Sequence, residues 1–266
     1  MPLETLRIDV TNGVGRIALD RPDKRNAMDT RMARELEETL RELEGRPDVR
    51  VVSIRGAGGH FCSGGDLAPD RSAEPPSGSP ASITLDIMNR VYAPAILAVH
   101  RFPKPVVAFV EGVAAGAGAN LALACDLVYA TPETRFCEIF VRRGLSLDCG
   151  GSWLLPRLVG LQKAKEIAFF GDWIGAAEAA SMGLVSAVFE SDGAETAVEA
   201  RLARLAAKAP IALGLIKQSL NRSMSLTLAE SLEAEAVAQA TCTATEDCAE
   251  GMRAFLEKRE PLFRGR

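Results

Sequence analysis

The chain has 266 residues, 47% of them hydrophobic, enough to bury a full core, which excludes a disordered or fibrous class. A net charge of −4 excludes the broad basic face that would suit nucleic acid or an anionic membrane. Two histidines and six cysteines without a C-x-x-C pair predict neither a metal site nor a disulfide framework, so the thiols are expected to be reduced.

MPLETLRIDV carries charge where a signal peptide needs an apolar core. The longest uncharged run, Gly112–Cys125, is shorter than the roughly 20 residues of a membrane span. A cytoplasmic location with no membrane partner is the expectation. Leu6, Ile8 and Val10 alternate up to Asn12-Gly13, and Val14, Ile17 and Leu19 resume the apolar pattern, which predicts a hairpin. Asp29 then reads as a helix N-cap, because Met32, Leu36, Leu40 and Leu43 form one helical stripe that Gly45 and Pro47 stop. A strand over 50–55 leads into a glycine-rich turn, GGHFCSGGDL (Gly58–Leu67). The stretch Ala68–Ser82 is rich in Pro, Ser and Gly and lacks periodicity, so a surface loop that could cover a site is predicted there. A helix over 83–100, a strand over 105–110, a second glycine turn opening into a helix (Glu111–Leu127) and a strand over 126–130 repeat the strand and helix alternation of an α/β core. Beyond Glu195 only helical patterns remain, at 197–207, 211–222, 227–240 and 247–258. The predicted organisation is therefore a core over residues 1–195 and a helical region over 196–266.

The two glycine turns are the candidates for chemistry, with plain strand ends as the competing reading. Each follows an apolar run, Val51–Ile54 and Val106–Val110, and presents main-chain amides that small residues leave approachable. Two such N–H groups aimed at one point would stabilise a developing oxyanion.

Taken together, LDRPDKRNAMD (Leu19–Asp29), the two glycine turns, FPKPVVAFVEG (Phe102–Gly112), CDLVYA, AAEAASMGLVSAV (Ala176–Val188) and EGMRAFLEKREPLF (Glu250–Phe263) resemble, in order, the enoyl-CoA hydratase/isomerase (crotonase) superfamily. The resemblance runs from Leu19 almost to the C-terminus. It implies an α/β fold, the ClpP/crotonase-like spiral of ββα units, with C-terminal helices that assemble a homotrimer or a dimer of trimers. It also implies an acyl-CoA thioester as substrate, with coenzyme A entering as part of that substrate and no separate cofactor. The oxyanion amides fall on Gly65 and Ala117. Lys24 and Arg25 take the place of cations that face the CoA phosphates, and such side chains suit phosphate through charge-assisted hydrogen bonds. Ala27 lies by the expected adenine pocket. Cys62, Ser63 and Leu67 line the adenine and pantetheine path, Asp66 orders its own turn, and Phe255, Lys258 and Phe263 close over CoA; for these last three, an ordinary amphipathic end helix is the competing reading.

Two departures steer the chemistry. Where hydratases of the family place two water-activating glutamates, this sequence has Asn120 and Phe140, neither of which exchanges protons near neutral pH. Glu138 is close by but two residues out of register. In their place stands Asp148, within GLSLDCGGSWLLPRLVG (Gly144–Gly160), where isomerases of the family carry a working aspartate; the run is most similar to members that act as 1,2-epoxyphenylacetyl-CoA isomerases. Asp148 could instead cap the helix that follows. Cys149 is expected to pack rather than react. The expected function is an enoyl-CoA or ring isomerase of lipid or fatty-acid metabolism, with Asp148 shuttling one proton; a hydratase (a lyase) and a non-catalytic CoA-binding scaffold are the alternatives. RNA binding, known in one branch, would require a lysine-rich helix, whereas the 29–44 segment is rich in glutamate.

Overall fold

The computed structural model describes residues 3–67 and 78–266. The tip of the predicted 68–82 loop, residues 68–77, lies outside the described residues. Strands β1 (Leu6–Thr11) and β2 (Val14–Leu19) form the predicted hairpin, pairing Leu6 with Leu19 and Thr11 with Val14 across the left-handed Asn12-Gly13 turn. Helix α1 (Thr30–Glu44) starts where Asp29 accepts a hydrogen bond from the Met32 amide at 2.8 Å and stops at Gly45. After β3 (Val51–Gly56), helix α2 (Pro80–Ile87) begins inside the stretch read as loop, capped by Ser79 with Pro80 at its first position. The expected single helix over 83–100 is thus broken. A π-turn spans Met88–Tyr92 and only then does α3 (Ala93–Arg101) continue. Pro94 has no amide to donate, and the ladder absorbs the fault by shifting to i−5, Ala93 N–H to Met88 C=O.

Strand β4 (Val106–Val110), β5 (Val113–Ala115), α4 (Ala117–Leu123), β6 (Leu127–Ala130), β7 (Arg135–Cys137), α5 (Gly151–Val159), α6 (Leu161–Phe170), β8 (Ile174–Gly175), α7 (Ala176–Ser181) and β9 (Ala187–Val188) complete the layers. The large sheet runs β1-β2-β3-β4-β6-β9, parallel from β2 onward, and a smaller one runs β5-β7-β8. Single parallel bridges, Met28 to Gly65 and Cys62 to Ala114, extend the smaller layer back toward the N-terminus. Each pass of the chain therefore lays one strand in the large sheet and one extended segment in the small one, which is the spiral of ββα units that the family resemblance implies.

Both faces of β4 are buried, as a parallel strand requires. Val106, Ala108 and Val110 face the main core with Leu36, Leu40 and Val99, while Val107 and Phe109 face helix α8 (Ala194–Ala206) through Val198 and Leu202. That packing moves the expected boundary at 195/196. It falls inside α8, which belongs to the core because its apolar side covers the large sheet. Helices α9 (Pro210–Ser223), α10 (Leu228–Thr243) and α11 (Glu246–Glu257) follow, and Ile216, Leu220, Leu228, Val237, Phe255 and Leu256 among them are exposed.

One ion pair docks α9 on the core. Lys217 Nζ donates to Asp126 at 2.7 Å, and the same carboxylate accepts from the Val106 amide at 2.7 Å at the start of β4. Both side chains are mostly buried. Burial pushes the Asp126 carboxyl up while Lys217 pulls it back, so removing the lysine leaves a poorly compensated charge. Lys217→Met is expected to lower unfolding free energy by about 3 kcal/mol in urea denaturation and to expose the 210–266 segment to limited proteolysis. Adding Asp126→Asn should restore most of the loss; a single variant as stable as wild type would refute the docking role.

Candidate active site

The two glycine turns are spliced together. Cys62 N–H donates to Val113 C=O and Ala115 N–H to Cys62 C=O, each at 3.0 Å. Gly65 and Ala117 each lie three residues beyond the bridged pair Cys62 and Ala114. Glycine is required where the turns touch: a Cβ on Gly64 would lie 2.9 Å from the Ala115 carbonyl oxygen, and one on Gly118 would lie 2.3 Å from the Cys62 carbonyl oxygen. On the other side, Met28 N–H donates to Gly64 C=O and Asp66 N–H to Met28 C=O, both at 2.8 Å. Alternation along an extended segment then turns the Gly65 amide away from Met28. Among the described residues, neither the Gly65 nor the Ala117 N–H donates to any acceptor, the latter because it opens α4.

Three residues that the sequence reading passed over hold this frame. Tyr92, in the π-turn, donates its hydroxyl to Met28 C=O at 2.8 Å and so braces the strand beside Gly65. Asn26 is buried with a left-handed backbone, accepting from the Arg21 amide and donating to the carbonyls of Ala57 and His60. Arg21 and Lys24 each reach the Asp66 carboxylate at 2.7 Å. Asp66 thus ties the 21–29 segment to its own turn, as expected. The signals were faint: an Asn in a loop and a Tyr in a helix look ordinary until their partners are known.

Behind the turns lies a buried polar group. Asn120 is 0% exposed, and its Nδ2 donates both to the main-chain carbonyl of Asp148 at 3.0 Å and to the Glu138 carboxyl at 3.3 Å. Glu138 is 3% exposed and stands at the head of a 3-10 turn (139–143). Burial first, and then the Asp148 charge, pushes its carboxyl up to about 8, while the hydrogen bond from Asn120 acts the other way. Burial also raises the half-buried Asp148, partly offset by a hydrogen bond from the Cys149 thiol. Asp148 Oδ1 and Asn120 Oδ1 are buried without a hydrogen-bond partner among the described residues. The capping alternative for Asp148 fails. Gly150 precedes α5 and no side chain caps it; the Gly151 amide is taken by the Asp148 main-chain carbonyl at 3.0 Å. Phe140 is buried and comes close to Gly116 at the mouth of α4, an apolar wall. Cys149 is buried with a left-handed backbone at φ 47°, and burial with Asp148 beside it pushes its thiol far up, so it is no nucleophile.

The expected CoA contacts divide. Lys24 and Arg25 are exposed, Ser63 joins their surface by donating to Lys24 C=O at 3.2 Å, Leu67 is 65% exposed, and Ala27 is buried. Cys62 does not share it. At 0% exposure it is wedged between the turns with its thiol pushed up to about 11 by burial, so its side chain cannot line an open path. Phe255 (82% exposed) and Lys258 stand free at the end of α11, whereas Phe263 folds back beside Gly251 and its carbonyl accepts from Arg50 at 2.8 Å.

The profile of the enoyl-CoA hydratase/isomerase family matches residues 9–266. The chain belongs to the enoyl-CoA hydratase/isomerase family. It is 39% identical to a probable enoyl-CoA hydratase of Rhodobacter capsulatus over the full length of both chains. It is 36% identical to the 1,2-epoxyphenylacetyl-CoA isomerase of Escherichia coli, covering 99% of this chain and 100% of that one. A crystal structure of an enoyl-CoA hydratase from Bacillus anthracis superposes with a TM-score of 0.91 at 29% identity, covering 99% of this chain and 100% of that one. This is an acyl-CoA enzyme of the crotonase fold. Among its described residues, no helix is long and apolar enough to cross a membrane and no cluster of His, Cys, Asp and Glu could hold a metal ion.

Tyr92→Phe is expected to cost about 1 kcal/mol of stability, the worth of one buried hydrogen bond. Because Met28 C=O loses its brace beside the Gly65 turn, turnover should fall more than acyl-CoA binding does. Calorimetric binding and steady-state kinetics check this, and equal losses in both would count against the bracing role.

Proposed function

We propose that this enzyme is an isomerase, moving a double bond or rearranging an unsaturated ring in an acyl-CoA, with Asp148 as its single proton shuttle. The carrying observation is the Asp148 carboxylate: half-buried, uninvolved in capping α5, and with Oδ1 buried and lacking a hydrogen-bond partner among the described residues. A buried acceptor left unpaired costs about 1–3 kcal/mol, which a purely structural aspartate would have no reason to retain. In this reading the Gly65 and Ala117 amides receive the thioester oxygen, and each such donor contributes roughly 10²–10³ in rate. Asp148 takes a proton from one carbon of the acyl chain, negative charge spreads to the oxygen as a dienolate, and the same carboxyl returns the proton elsewhere. Lys24 and Arg25 face the CoA phosphates, and Ala27, Ser63 and Leu67 border the nucleotide and pantetheine. The likeness to the 1,2-epoxyphenylacetyl-CoA isomerase of Escherichia coli supports this reading.

Hydratase is the second reading, favoured by the Rhodobacter relative's name and by the proximity of a second carboxyl, Glu138, to the site. Hydration needs a base for water and an acid for the α-carbon, and an amide holds the place between them here. The exposed apolar residues of α9–α11 support a homotrimer or a dimer of trimers.

Mass-resolved deuterium incorporation into 2-enoyl, 3-enoyl, dienoyl and phenylacetyl-derived CoA thioesters tests the reading. Exchange or double-bond movement without added water is expected from wild type, with a loss of about 10²–10⁴-fold in Asp148→Asn. Because burial raises the Asp148 carboxyl, activity should rise with pH above the usual aspartate range as the base ionises. A product one water heavier would return the protein to the hydratases, and CoA binding without any exchange would make it a scaffold.

A further inference from the structure

Glu138 has no part in the proposed shuttle, yet it is the most deeply buried carboxyl around the site. Among the described residues its side chain makes one hydrogen bond, accepting from Asn120 Nδ2 at 3.3 Å. The other hydrogen of that amide goes to Asp148 C=O at 3.0 Å, and because a carbonyl can only accept, the Asn120 orientation is fixed. Glu138 and the Asp148 turn are therefore held by the two hydrogens of one nitrogen.

We propose that Glu138 is a positioning residue for the proton shuttle, acting through Asn120 on Asp148 as a neutral acid. This rests on the reading of Asp148 as the base. The groups that face Glu138 disfavour its charged form. From α4 comes the uncharged Asn120, from the turn before α5 come Asp148 and the Cys149 thiol, and from β7 comes the Cys137 thiol. Among the described residues, the one charge acting on Glu138 is negative and no cation compensates it. With Glu138 protonated, Asp148 is the sole carboxylate and can cycle between base and acid while the substrate holds the displaced charge. Once Glu138 ionises, two like charges share an apolar pocket; the Asn120 bridge then serves an anion, and a dienolate would add a third negative centre. Turnover should therefore fail as pH rises through about 8, where burial sets the Glu138 carboxyl. No other site group explains a transition there: Cys62 and Cys137 are pushed up to about 11, and Tyr92 and Cys149 higher still.

The test is the deuterium-exchange rate from pH 6 to 10 for wild type, Glu138→Gln and Asp148→Asn. Glutamine mimics the protonated acid in shape and hydrogen bonding. Wild-type kcat should fall about tenfold per pH unit above the transition with KM little changed, while Glu138→Gln keeps its neutral-pH rate within about threefold and stays flat to pH 10. A flat wild-type profile, or a fall that persists in Glu138→Gln, overturns the proposal while leaving Asp148 as base. Exchange that survives in Asp148→Asn sinks the underlying reading instead. A readout without turnover is the protonated-carboxyl infrared band. It should disappear through about pH 8 in wild type and at lower pH in Asp148→Asn, where the repelling charge is gone. A Glu138 already ionised at pH 6 in both proteins would refute it even if Glu138→Gln failed to fold.

Discussion

The contact on which this structure depends is the main-chain splice at Cys62, which accepts from Ala115 and donates to Val113 within one residue. It joins segments that are fifty residues apart in sequence and leaves no room for side chains between them, as the approach of Gly118 to the Cys62 carbonyl shows. A joint made of backbone cannot relax by changing a rotamer. Helix α4 is consequently fixed at both ends: Gly116 N–H donates to Cys137 C=O at 2.8 Å at its start, and Asp126 is tied to β4 and Lys217 just beyond its end. The position of Asn120, three residues into α4, follows from the joint, and through Asn120 so does the Asp148 turn.

Around that fixed helix the protein accepts local costs that the core must offset. Arg25, Asn26 and Cys149 all have left-handed backbones without being glycine, at φ between 47° and 55°. Each is worth of order 1–3 kcal/mol of strain and persists only where the surroundings over-determine it. For Asn26 the determination is visible in three hydrogen bonds, one from Arg21 in its own segment and two to the carbonyls of Ala57 and His60 in the neighbouring turn. For Cys149 it is visible in its two neighbours, Asp148 bonded to Asn120 and Gly150 at the start of α5. Three of the left-handed non-glycine residues thus lie in the 21–29 segment and the Asp148 turn, and the other two, Asn12 and Lys258, lie in the β1–β2 turn and at the end of α11.

Legibility from sequence divides along the range of the interactions. The β1–β2 hairpin, the Asp29 cap and the C-terminal helices were readable because each is decided within a few residues by turn chemistry, capping or periodicity. The π-turn was not, although Pro94 was in plain view: whether a proline kinks a helix or shifts its ladder depends on what Tyr92 finds to bond, and that is Met28, 64 residues away. Glu138 was discounted because it stands two residues out of register with the expected position, but β7 ends at Cys137 and a 3-10 turn follows at once, so register counted along the sequence does not locate its side chain. Cys62 was assigned to a ligand path through the family resemblance, yet it is the residue that the splice buries. Family resemblance supplied the oxyanion positions and Asp148, but only packing could show that the aspartate does not cap α5.

The charge count separates the chemistries open to this site. In a proton shuttle the aspartate becomes neutral as the thioester oxygen becomes negative, so one negative charge is present throughout and merely moves toward the two free amides. The pocket never has to stabilise a second anion, which suits apolar walls such as Phe140. Hydration asks more: as water adds, one carboxyl takes its proton while another supplies a proton to the α-carbon, so at least one extra ionisable group must cycle between states. Two unit charges about 4 Å apart repel by about 4 kcal/mol at an effective dielectric near 20, a burden that hydrogen bonds or solvent must relieve. Around Glu138 the available relief is one long hydrogen bond from an amide already shared with Asp148. In the proposed shuttle, a single amide between the two carboxyls keeps one of them neutral while the other cycles, so moving a proton along an acyl chain asks no second group to change charge.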